Sequence, residues 1–431
     1  MAYSTDTRTL QPGDTYVAVV GETHDGHDFV PQAVEAGAAG VVVERGAAAP
    51  AGVDVRVVPS TVGWLVAQAS ERVAALGCET VAITGSVGKT TARTAVASVL
   101  RQSREVVAST GNLNTPLGLS LLLLNADLTP RTVLVLEMGA RLPGDIRELC
   151  EAFPPTVGVV TTVRAVHVET LGSIDGVERE KSEIVRALRA SGTAVLNGDD
   201  ERTRRMAGVT VAGVVLFGTA DHCDVTPDQV TADLPILGDH AVYTAMLATA
   251  VGRALGLDDA AITRGLEAIE PEKGRLRKLD GVGGSALVDD TYNASPDAAK
   301  SALDVLAGLD ADRRTAVLGD MLELGPTEVD QHHDVLAHAL DRADRVWAVG
   351  DIMRQAAARF PDAPALAHFA TSHEAAEAVR SGRLGLGPGD AVLVKGSQGA
   401  RMERVSEALL SPDLDPADVL PRQTPQWKAI P

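Results

Sequence analysis

Cysteine, aromatic residues and positive charge are all scarce in this sequence of 431 residues. The cysteines number three, and their odd count and wide spacing exclude a disulfide scaffold and indicate buried, reduced thiols in a cytosolic protein. Aromatic residues make up only 3% of the chain, so any core must be built mainly from Ala, Val and Leu. The 39 basic residues are outnumbered by 58 acidic ones, and the formal net charge of −19 argues against nucleic acid as a general partner.

Long apolar runs are missing as well. No run reaches the roughly 18 apolar residues of a membrane span, and the polar segment MAYSTDTRTLQPGD lacks the apolar core of a signal peptide. We therefore expect a cytoplasmic protein without a membrane span. The stretch from Ser411 onwards is rich in proline, and we expect residues 412–431 to form an extended or disordered, flexible tail.

What the sequence does contain is a regular alternation of strand-like and helix-like segments. Ten apolar strands are predicted, at 15–21, 41–44, 80–85, 132–139, 156–163, 192–199, 285–290, 315–320, 345–351 and 390–396. Helices between them predict parallel sheets covered on both faces. We therefore predict an α/β protein of three domains: a small N-terminal α/β domain (1–77), a central parallel-sheet domain (78–272) and a Rossmann-like C-terminal domain (273–411).

Residues 83–91, ITGSVGKTT, resemble a phosphate-binding loop that lacks one glycine of the general consensus G-x-x-x-x-G-K-[ST]. Gly88 and Lys89 are in register, but Ile83 stands at the first glycine position and a glycine lies at 85 instead. Because the segment joins a predicted strand to a predicted helix, its backbone N–H groups can hold phosphates. Lys89 would neutralise them and the Thr90 hydroxyl would bind Mg²⁺. An ordinary glycine-containing turn is the alternative.

Acidic and imidazole side chains follow two later strands. Glu137 ends VLVLE, and His167 follows VGVVTTVRAV. Ligands of open α/β sheets bind beyond the carboxyl ends of the strands, so these two residues are candidates to complete a metal site opposite Thr90. Polar residues at strand ends are also often ordinary loop residues. Lys181 lies in a predicted helix, where a solvated lysine is the default, and nothing in its local sequence distinguishes it.

Two polar segments at strand ends characterise the C-terminal domain. In DDTYNASPDA (289–298), the Asp and Asn residues can be simple turn and cap residues. In KGSQGARME (395–403), Lys395, Ser397 and Arg401 cluster before a helix. Because a helix N-terminus with nearby cations suits a carboxylate, this segment is a candidate site for a substrate carboxylate. A capped strand–helix junction is the alternative.

Taken together, these motifs resemble the Mur ligase family, the ATP-dependent amide-forming enzymes of peptidoglycan precursor synthesis. The resemblance extends from about Thr5 to Leu410, and the stretches that carry it are TDTRTLQPGDTYVAVVGETHDGHDF, ITGSVGKTT, GNLNTPLGL, LEMGA, HVETLGSIDGVEREKSEI, GRL, DDTYNASPDA, LGDMLELG and VKGSQGARME. DDTYNASP and GDMLELG are characteristic of the branch that adds D-alanyl-D-alanine to a UDP-N-acetylmuramoyl-tripeptide. The family uses the shorter loop form, with an apolar residue where Ile83 stands.

The resemblance implies a set of site residues and a reaction. ATP phosphates would be bound by Gly85, Ser86, Gly88, Lys89, Thr90 and Thr91, and the nucleotide would also be reached by Arg275, Asp290 and Tyr292. Thr90 and Glu137 would hold one Mg²⁺, and His167 a second that is bridged by Lys181 modified to a carbamate; Lys89, Glu137, His167 and Lys181 would be the catalytic group. Substrate contacts are expected from Thr7, Arg8, Asn114, Thr115, Asn293, Lys395, Ser397 and Arg401, with Thr7 and Arg8 at the uridine nucleotide.

The implied chemistry is activation of a carboxylate as an acyl phosphate, followed by attack of an amine. The expected partners are a small-molecule or peptidyl-nucleotide substrate and an amine such as a dipeptide, and a monomer is expected.

Two departures from the family pattern leave the substrates open. The helix start that usually reads G-x-H-N-x-x-N reads GDHAVYTA here, with Ala241 and Thr244 in place of the asparagines, so adenine recognition is expected to be weaker or differently built. The N-terminal domain, which would hold the UDP part, is also short. The chain therefore either adds D-alanyl-D-alanine or serves a non-peptidoglycan acid and amine, such as those of a secondary metabolite. A non-catalytic nucleotide-binding protein is the third alternative.

Overall fold

The computed structural model describes residues 2–21, 23–44, 53–111, 113–165, 168–238 and 240–429. The chain divides into two compact units, one of Met1–Asp233 with Val242–Ile269 and one of Leu234–Ala241 with Glu270–Pro431. In the described ranges, no helix is both long enough and apolar enough to cross a membrane.

The first unit contains two sheets in which every strand pair is parallel. Its strands are β1 (Tyr3–Ser4), β2 (Thr15–Val17), β3 (Gly40–Val43), β4 (Asp54–Val57), β5 (Glu79–Thr84), β6 (Glu105–Ala108), β7 (Thr132–Glu137), β8 (Val157–Val160), β9 (Thr193–Asn197) and β10 (Gly213–Phe217). The smaller sheet has the order β1-β2-β3-β4 and the larger β10-β9-β8-β5-β7-β6. In the larger sheet, β5 lies between β7 and β8, so the carboxyl ends of these three strands are neighbours.

Helices connect the strands of the first unit, as parallel pairing requires. They are α1 (Val30–Glu35), α2 (Thr61–Leu76), α3 (Lys89–Arg101), α4 (Pro116–Asn125), α5 (Asp145–Ala152), α6 (Val168–Leu171), α7 (Ile174–Arg186), α8 (Glu201–Arg205), α9 (His240–Ala254) and α10 (Asp259–Glu267). Their ends follow ordinary capping rules. For example, α2 begins after Ser60, whose side chain accepts a hydrogen bond from the Gly63 N–H, and ends at Gly77 in the left-handed conformation (φ 66°).

The second unit contains one mixed sheet. Its strands are β11 (Arg277–Asp280), β12 (Ala286–Asp290), β13 (Arg313–Gly319), β14 (Arg345–Val349), β15 (Leu366–Phe369) and β16 (Asp390–Lys395), in the order β11-β12-β16-β13-β14-β15. Only the β11–β12 pair is antiparallel. The helices are α11 (Pro296–Gly308), α12 (Glu328–Arg342), α13 (Asp351–Ala357), α14 (Ser372–Arg380), α15 (Glu403–Leu409), α16 (Pro416–Val419) and α17 (Pro425–Lys428).

The predicted α/β class with parallel sheets is confirmed, but the prediction of a disordered, flexible C-terminal tail is wrong for the residues that the structure describes. The tail forms α16 and α17, and Val419 and Leu420 are only 8% and 1% exposed within a core of the second unit. Two of the prolines that suggested an extended chain, Pro416 and Pro425, start these short helices, where a missing N–H costs nothing because it has no partner in the helix.

Candidate active site

The loop between β5 and α3 holds the first group of predicted site residues. Gly88 has a φ of 82° and forms the N-cap of α3 without a side-chain hydrogen bond. A Cβ on Gly85 would lie 1.9 Å from the Thr161 hydroxyl oxygen, so only glycine fits there. That hydroxyl donates to the Val87 carbonyl at 2.6 Å. The loop is therefore pressed against the residues that follow β8, and its two glycines are explained by one close approach and one left-handed turn.

Ser86 anchors the same loop. Its N–H donates to the Thr162 carbonyl at 2.8 Å. Its hydroxyl donates to the Arg164 carbonyl at 3.1 Å and accepts from the Arg164 N–H at 2.9 Å. The Ser86 side chain thus acts on the protein backbone, which fixes the loop in a shape suited to anions at the start of α3.

Lys89 is the first residue of α3, and its ammonium group folds back over the loop. The Nζ atom donates to the carbonyls of Gly85 at 2.8 Å and Ser86 at 3.5 Å. Thr90 and Thr91 follow in the first turn of the same helix. A phosphate group here would meet the positive end of the helix dipole and a nearby ammonium group.

Thr90 and Glu137 meet because β5 and β7 are adjacent, with Ile83 and Glu137 in register. The Thr90 hydroxyl donates to Glu137 Oε2 at 2.9 Å, and Asn114 Nδ2 donates to Oε1 at 3.0 Å. The carboxylate is buried, with 3% of Glu137 exposed. A hydroxyl that gives its proton to a carboxylate keeps a lone pair for a metal ion, so these oxygen donors fit Mg²⁺.

Arg93 is a member of this group that sequence reasoning missed. It lies one turn along α3 from Lys89 and is 3% exposed. Its Nη1 atom is 3.7 Å from Glu137 Oε2 and 3.5 Å from the carbonyl oxygen of Gly111. Arginine at i+4 from the loop lysine was the available signal, because that spacing places it on the same face of the helix.

The residues predicted beside the substrate on the GNLNTPLG loop have defined local roles. Asn114 binds Glu137, as described above, and its carbonyl accepts from the Gly139 N–H at 3.0 Å. Thr115 is the N-cap of α4, with its hydroxyl accepting from the Gly118 N–H at 3.2 Å. The loop is therefore tied to the carboxyl end of β7 on one side and to a helix on the other.

Lys181 is not the solvated helical lysine that its local sequence suggested. It is 2% exposed on α7, and among the described residues no hydrogen bond or ion pair reaches its amine. Burial, followed by repulsion from Lys89, lowers the pKa of Lys181 to about 8, while Glu180, Asp145 and Glu137 oppose that change. Much of this amine is therefore neutral near pH 8, the form that reacts with carbon dioxide.

Glu180, next to Lys181, is buried too, with 5% of the residue exposed. Its two carboxylate oxygens accept from the N–H groups of Gly144 at 2.7 Å and Ile146 at 2.8 Å, at the start of α5. This carboxylate therefore caps a helix N-terminus, a common way to satisfy buried backbone donors.

His167, the remaining predicted metal ligand, lies outside the described residues. In the part of the chain that is described, there is no cluster of three or more His, Cys, Asp or Glu side chains able to hold a metal ion. The donors that are present, the Thr90 hydroxyl and the Glu137 carboxylate, are of the oxygen type that Mg²⁺ prefers.

The second unit brings the predicted nucleotide contacts Arg275, Asp290 and Tyr292 together. The Arg275 guanidinium carbon lies 4.1 Å from the centroid of the Tyr292 ring. The Tyr292 N–H donates to the Gly274 carbonyl at 3.0 Å, and the Leu276 N–H donates to Asp290 Oδ1 at 3.2 Å. The three residues therefore form one connected patch of the second unit.

Lys395 is not a free cation for a substrate carboxylate, contrary to the sequence-based interpretation. Its Nζ atom is 2.5 Å from Asp290 Oδ2 and also donates to the Asn293 carbonyl at 3.0 Å. The two side chains face each other because β12 and β16 pair with Asp290 and Lys395 in register. Both are buried, so each neutralises the other where no solvent charge screening is available.

Ser397 and Arg401 are likewise engaged within the second unit. The Ser397 hydroxyl accepts from the Leu322 N–H at 2.9 Å. Arg401 is 5% exposed, with its Nε atom 2.6 Å from Glu403 Oε1 and an Nη2 hydrogen bond of 2.8 Å to the Trp427 carbonyl. The predicted cluster exists, but the structure uses its cations in internal ion pairs.

Thr7 and Arg8 lie on the loop between β1 and β2. The Arg8 side chain is 74% exposed and pairs with Asp6, with Nη2 at 2.6 Å from Oδ2. Hydrogen bonding from Arg8 lowers the pKa of the Asp6 carboxyl group.

The helix start that departs from the family pattern carries an unpredicted contact. Thr244 is 7% exposed on α9, whereas Tyr243 donates its hydroxyl to Asp199 Oδ2 at 2.7 Å. The same carboxylate accepts from the N–H of Thr219 at 2.7 Å and of Ala220 at 3.0 Å. A tyrosine–aspartate pair thus connects α9 to the loops after β9 and β10.

Comparison with known proteins identifies the class to which this fold and loop belong. Three family models match: the Mur ligase family, catalytic domain, at residues 2–77; the Mur ligase middle domain at 83–252; and the Mur ligase, glutamate ligase domain, at 274–398. The chain belongs to the Mur ligase family. The class of enzyme that the motifs indicated, an ATP-dependent, ADP-forming ligase, is thereby confirmed.

Individual relatives cover nearly the whole chain. UDP-N-acetylmuramoyl-tripeptide--D-alanyl-D-alanine ligase of Bacillus subtilis is 30% identical over 95% of this chain and 93% of its own length. The enzyme of the same name from Mycobacterium tuberculosis H37Rv is 33% identical over 95% and 92%. Among solved structures, MurF of Acinetobacter baumannii matches with a TM-score of 0.86 at 28% identity, over 94% of this chain and 92% of that one. MurF of Thermotoga maritima in complex with ADP matches with a TM-score of 0.80 at 27% identity, over 94% and 96%.

Proposed function

We propose that this protein joins D-alanyl-D-alanine to UDP-N-acetylmuramoyl-tripeptide in peptidoglycan precursor synthesis, with ATP as the energy source. The observation that carries the proposal is the Thr90–Glu137 hydrogen bond of 2.9 Å beside the phosphate loop, with the buried amine of Lys181 coupled electrostatically to Lys89. The relatives named for this reaction cover 95% of the chain, which supports the choice of substrates.

A carboxylate is a poor electrophile, so the reaction needs its activation. The substrate carboxylate attacks the γ-phosphorus of ATP, an acyl phosphate forms and ADP leaves. The amine of the dipeptide then attacks the acyl carbon, a tetrahedral intermediate forms, and inorganic phosphate leaves with the new amide in place. In the first step, the Lys89 ammonium and the N-terminus of α3 lie where they can stabilise charge on the transferred phosphoryl group.

Mg²⁺ would supply further charge neutralisation when held by Thr90 and Glu137. We propose that Lys181 acts after conversion to a carbamate: its neutral amine forms an N–C bond with carbon dioxide and releases a proton. The pKa of about 8 favours this reaction, because desolvation has already removed much of the positive charge. The product is an anionic oxygen ligand, which with His167 would hold a second metal ion.

The remaining assignments are proposals on the same basis. Arg275 and Tyr292 would contact the nucleotide, and Asp290, which pairs with Lys395, would hold their segment in place. Thr7 and Arg8 would contact the uridine part of the acyl substrate. The proposed division of labour is residues 1–77 for the UDP part, 78–272 for ATP and 273–411 for the incoming amine. Because the cation sites of Lys395 and Arg401 are internally paired, we assign these two residues a structural role and not a dipeptide contact. We further propose a cytoplasmic monomer, whose mass light scattering would check.

The test is phosphate release from ATP by the purified protein. We expect release only when UDP-N-acetylmuramoyl-tripeptide and D-alanyl-D-alanine are both present, and mass spectrometry should then find the pentapeptide product. L-alanyl-L-alanine serves as the matched control amine. Absence of turnover with the D-alanyl-D-alanine pair would contradict the peptidoglycan assignment. Turnover with a different acid and amine in a substrate screen would then identify a Mur-type ligase recruited to another pathway.

A further inference from the structure

The C-terminal tail of the second unit contacts the segment that carries Tyr292. The isobutyl side chain of Leu420 is buried in the core beside Val419, and the chain continues from there to Arg422. The Arg422 side chain is 6% exposed, although this part of the sequence looks like a polar tail. A side chain of this length and charge is buried only when it has fixed partners.

Arg422 has three such partners. Its guanidinium donates to the carbonyls of Thr291 and, at 3.1 Å, of Tyr292, and it lies 3.0 Å from Glu403 Oε2. The planar donor fork of arginine can serve two carbonyls and a carboxylate at once, which a lysine ammonium does less well. One side chain of the tail thereby holds the backbone on both sides of the Thr291–Tyr292 peptide bond.

The backbone of this region is strained where the contacts occur. Among the described residues other than glycine, the left-handed region is occupied only by Leu276, Glu323, Arg401 and Arg422. Arg401 and Arg422 both pair with Glu403, and Leu276 follows Arg275. Such strain persists only where surrounding contacts over-determine the conformation, and it is concentrated at functional sites.

The Tyr292 ring lies between these contacts. The guanidinium carbons of Arg275 and Arg422 are 4.1 and 6.0 Å from its centroid. The Nε atoms of both arginines are buried without a hydrogen-bond partner in the described part of the chain. Buried Nε atoms without a partner also occur at Arg313 and Arg314, so these donors alone do not mark a ligand site; what Arg275 and Arg422 share is contact with the Tyr292 ring.

We propose that Arg422 is a positioning residue for nucleotide binding: it holds the Thr291–Tyr292 segment so that Tyr292 and Arg275 are presented to ATP. The inference rests on the proposed function, which assigns Tyr292 and Arg275 to the nucleotide. It makes the C-terminal tail a functional part of the ligase and not an appendage. The alternative is that the tail only stabilises the fold, which we call a structural strap. In that case the buried side chains of Val419 and Leu420 contribute to stability, and Arg422 contributes nothing to nucleotide binding.

The test compares Arg422→Gln, Arg422→Lys and the control Lys428→Gln in the full-length protein. Lys428 is another tail cation paired with a glutamate, 3.1 Å from Glu407, but its side chain is 48% exposed. Hydrogen exchange of the peptide 291–295, KM for ATP, kcat and the melting temperature are measured for each. We expect Arg422→Gln to speed exchange in that peptide and to raise KM for ATP on the order of tenfold, with a smaller change in kcat. Arg422→Lys should restore part of the effect, and Lys428→Gln should behave like the native protein.

Unchanged exchange at 291–295 in Arg422→Gln would overturn the inference, and this measurement requires no substrate. A lower melting temperature with an unchanged KM for ATP, while Tyr292→Ala raises that KM, would also overturn it in favour of the structural strap. If exchange is faster but neither Arg422→Gln nor Tyr292→Ala changes KM for ATP, the positioning of the segment stands. In that case the nucleotide role of Tyr292, which belongs to the proposed function, is the part that fails.

Discussion

The lysines beside the phosphate loop of the first unit and the cations at the strand ends of the second unit differ in the partners that they contact. Lys89 bonds to loop carbonyls, and Lys181 is buried without an ion pair among the described residues. In the second unit, Lys395 pairs with Asp290 and Arg401 with Glu403. Both regions lie at the carboxyl ends of parallel strands, so their position in the fold does not explain the difference.

We propose that the buried amine of Lys181 marks a region that awaits a ligand or a modification. An uncompensated buried charge is costly, and it is kept where a ligand or a modification supplies the missing partner. A buried pair already has its partner, and it serves to fix strands and loops relative to each other. Cations near a helix start therefore do not by themselves identify an anion site. A cation that already pairs with a carboxylate of the protein is less available to bind an anionic ligand.

Lys89→Ala should give the largest effect. If the ammonium group stabilises the transferred phosphoryl group, removal should lower kcat on the order of a thousandfold or more. The melting temperature, measured alongside, separates this loss of catalysis from a loss of stability. Phosphate release under saturating substrates measures the loss. Unchanged ligation by this variant would refute the proposed mechanism.

Lys395→Met should reduce stability and not act primarily on chemistry. Removing one partner of a buried ion pair leaves Asp290 uncompensated, which costs about 3–5 kcal/mol of unfolding free energy. Urea denaturation measures it, with Lys278→Met, an exposed lysine of the same sheet, as the control. The double variant Asp290→Asn with Lys395→Met should recover much of the loss. If Lys395→Met is as stable as Lys278→Met, the ion pair between Lys395 and Asp290 does not stabilise the second unit.

Lys181→Ala tests the uncompensated cation of the first unit. We expect kcat to fall on the order of a hundredfold, and a short carboxylic acid to restore part of it if the carbamate is a metal ligand. A short amine should not restore kcat, because it would replace the ammonium group of Lys181 and not the carbamate. Rescue by the amine alone, or by neither compound, would remove the carbamate role.

The pH dependence of the native enzyme follows from the same residue. In the folded protein the pKa of Lys181 is about 8, below the usual value of 10.5. As the pH falls through about 8, the amine therefore changes from mostly neutral to mostly protonated. Carbamate formation requires the neutral amine, so activity at fixed bicarbonate should decline as the pH is lowered from about 8.5 to 6.5. A ¹³C carbamate signal from labelled bicarbonate should decline in parallel and be absent from Lys181→Ala.

The strands show how far sequence reasoning can reach. All ten predicted strands exist, and they are the inner strands of the three sheets. The strands that were not predicted, β1, β4, β6, β10, β11 and β15, are the six sheet edges. An inner strand of a parallel sheet is buried on both faces and reads as a continuous apolar run. An edge strand such as DVRV at 54–57, with mostly exposed residues, lacks that pattern and is recognised only by its pairing.

The site divides in the same way. The contact between Thr90 and Glu137 could be expected from the sequence, because the carboxyl ends of parallel strands meet at one edge of the sheet. The burial of Lys181 and the pairing of Lys395 with Asp290 could not be, because they depend on contacts between residues far apart in sequence. The tail was misread for a related reason: composition predicted disorder, while two apolar side chains, Val419 and Leu420, determine that it packs.

Arg93 is a buried cation of the first unit that lies near a carboxylate, and Arg93→Gln gives the smallest expected effect. Glu137 keeps its hydrogen bonds from Thr90 and Asn114, so we expect only about a tenfold rise in the Mg²⁺ concentration needed for half-maximal activity, with kcat at saturating Mg²⁺ changed less. Arg101→Gln, at the exposed end of the same helix, is the matched control, and Arg93→Lys should recover part of the effect. If Arg93 instead neutralises Glu137 as Asp290 neutralises Lys395, the variant should lose several kcal/mol of stability and its Mg²⁺ requirement should not change. That result would make the two regions alike and would remove the distinction between charges that are paired for structure and charges that await a ligand.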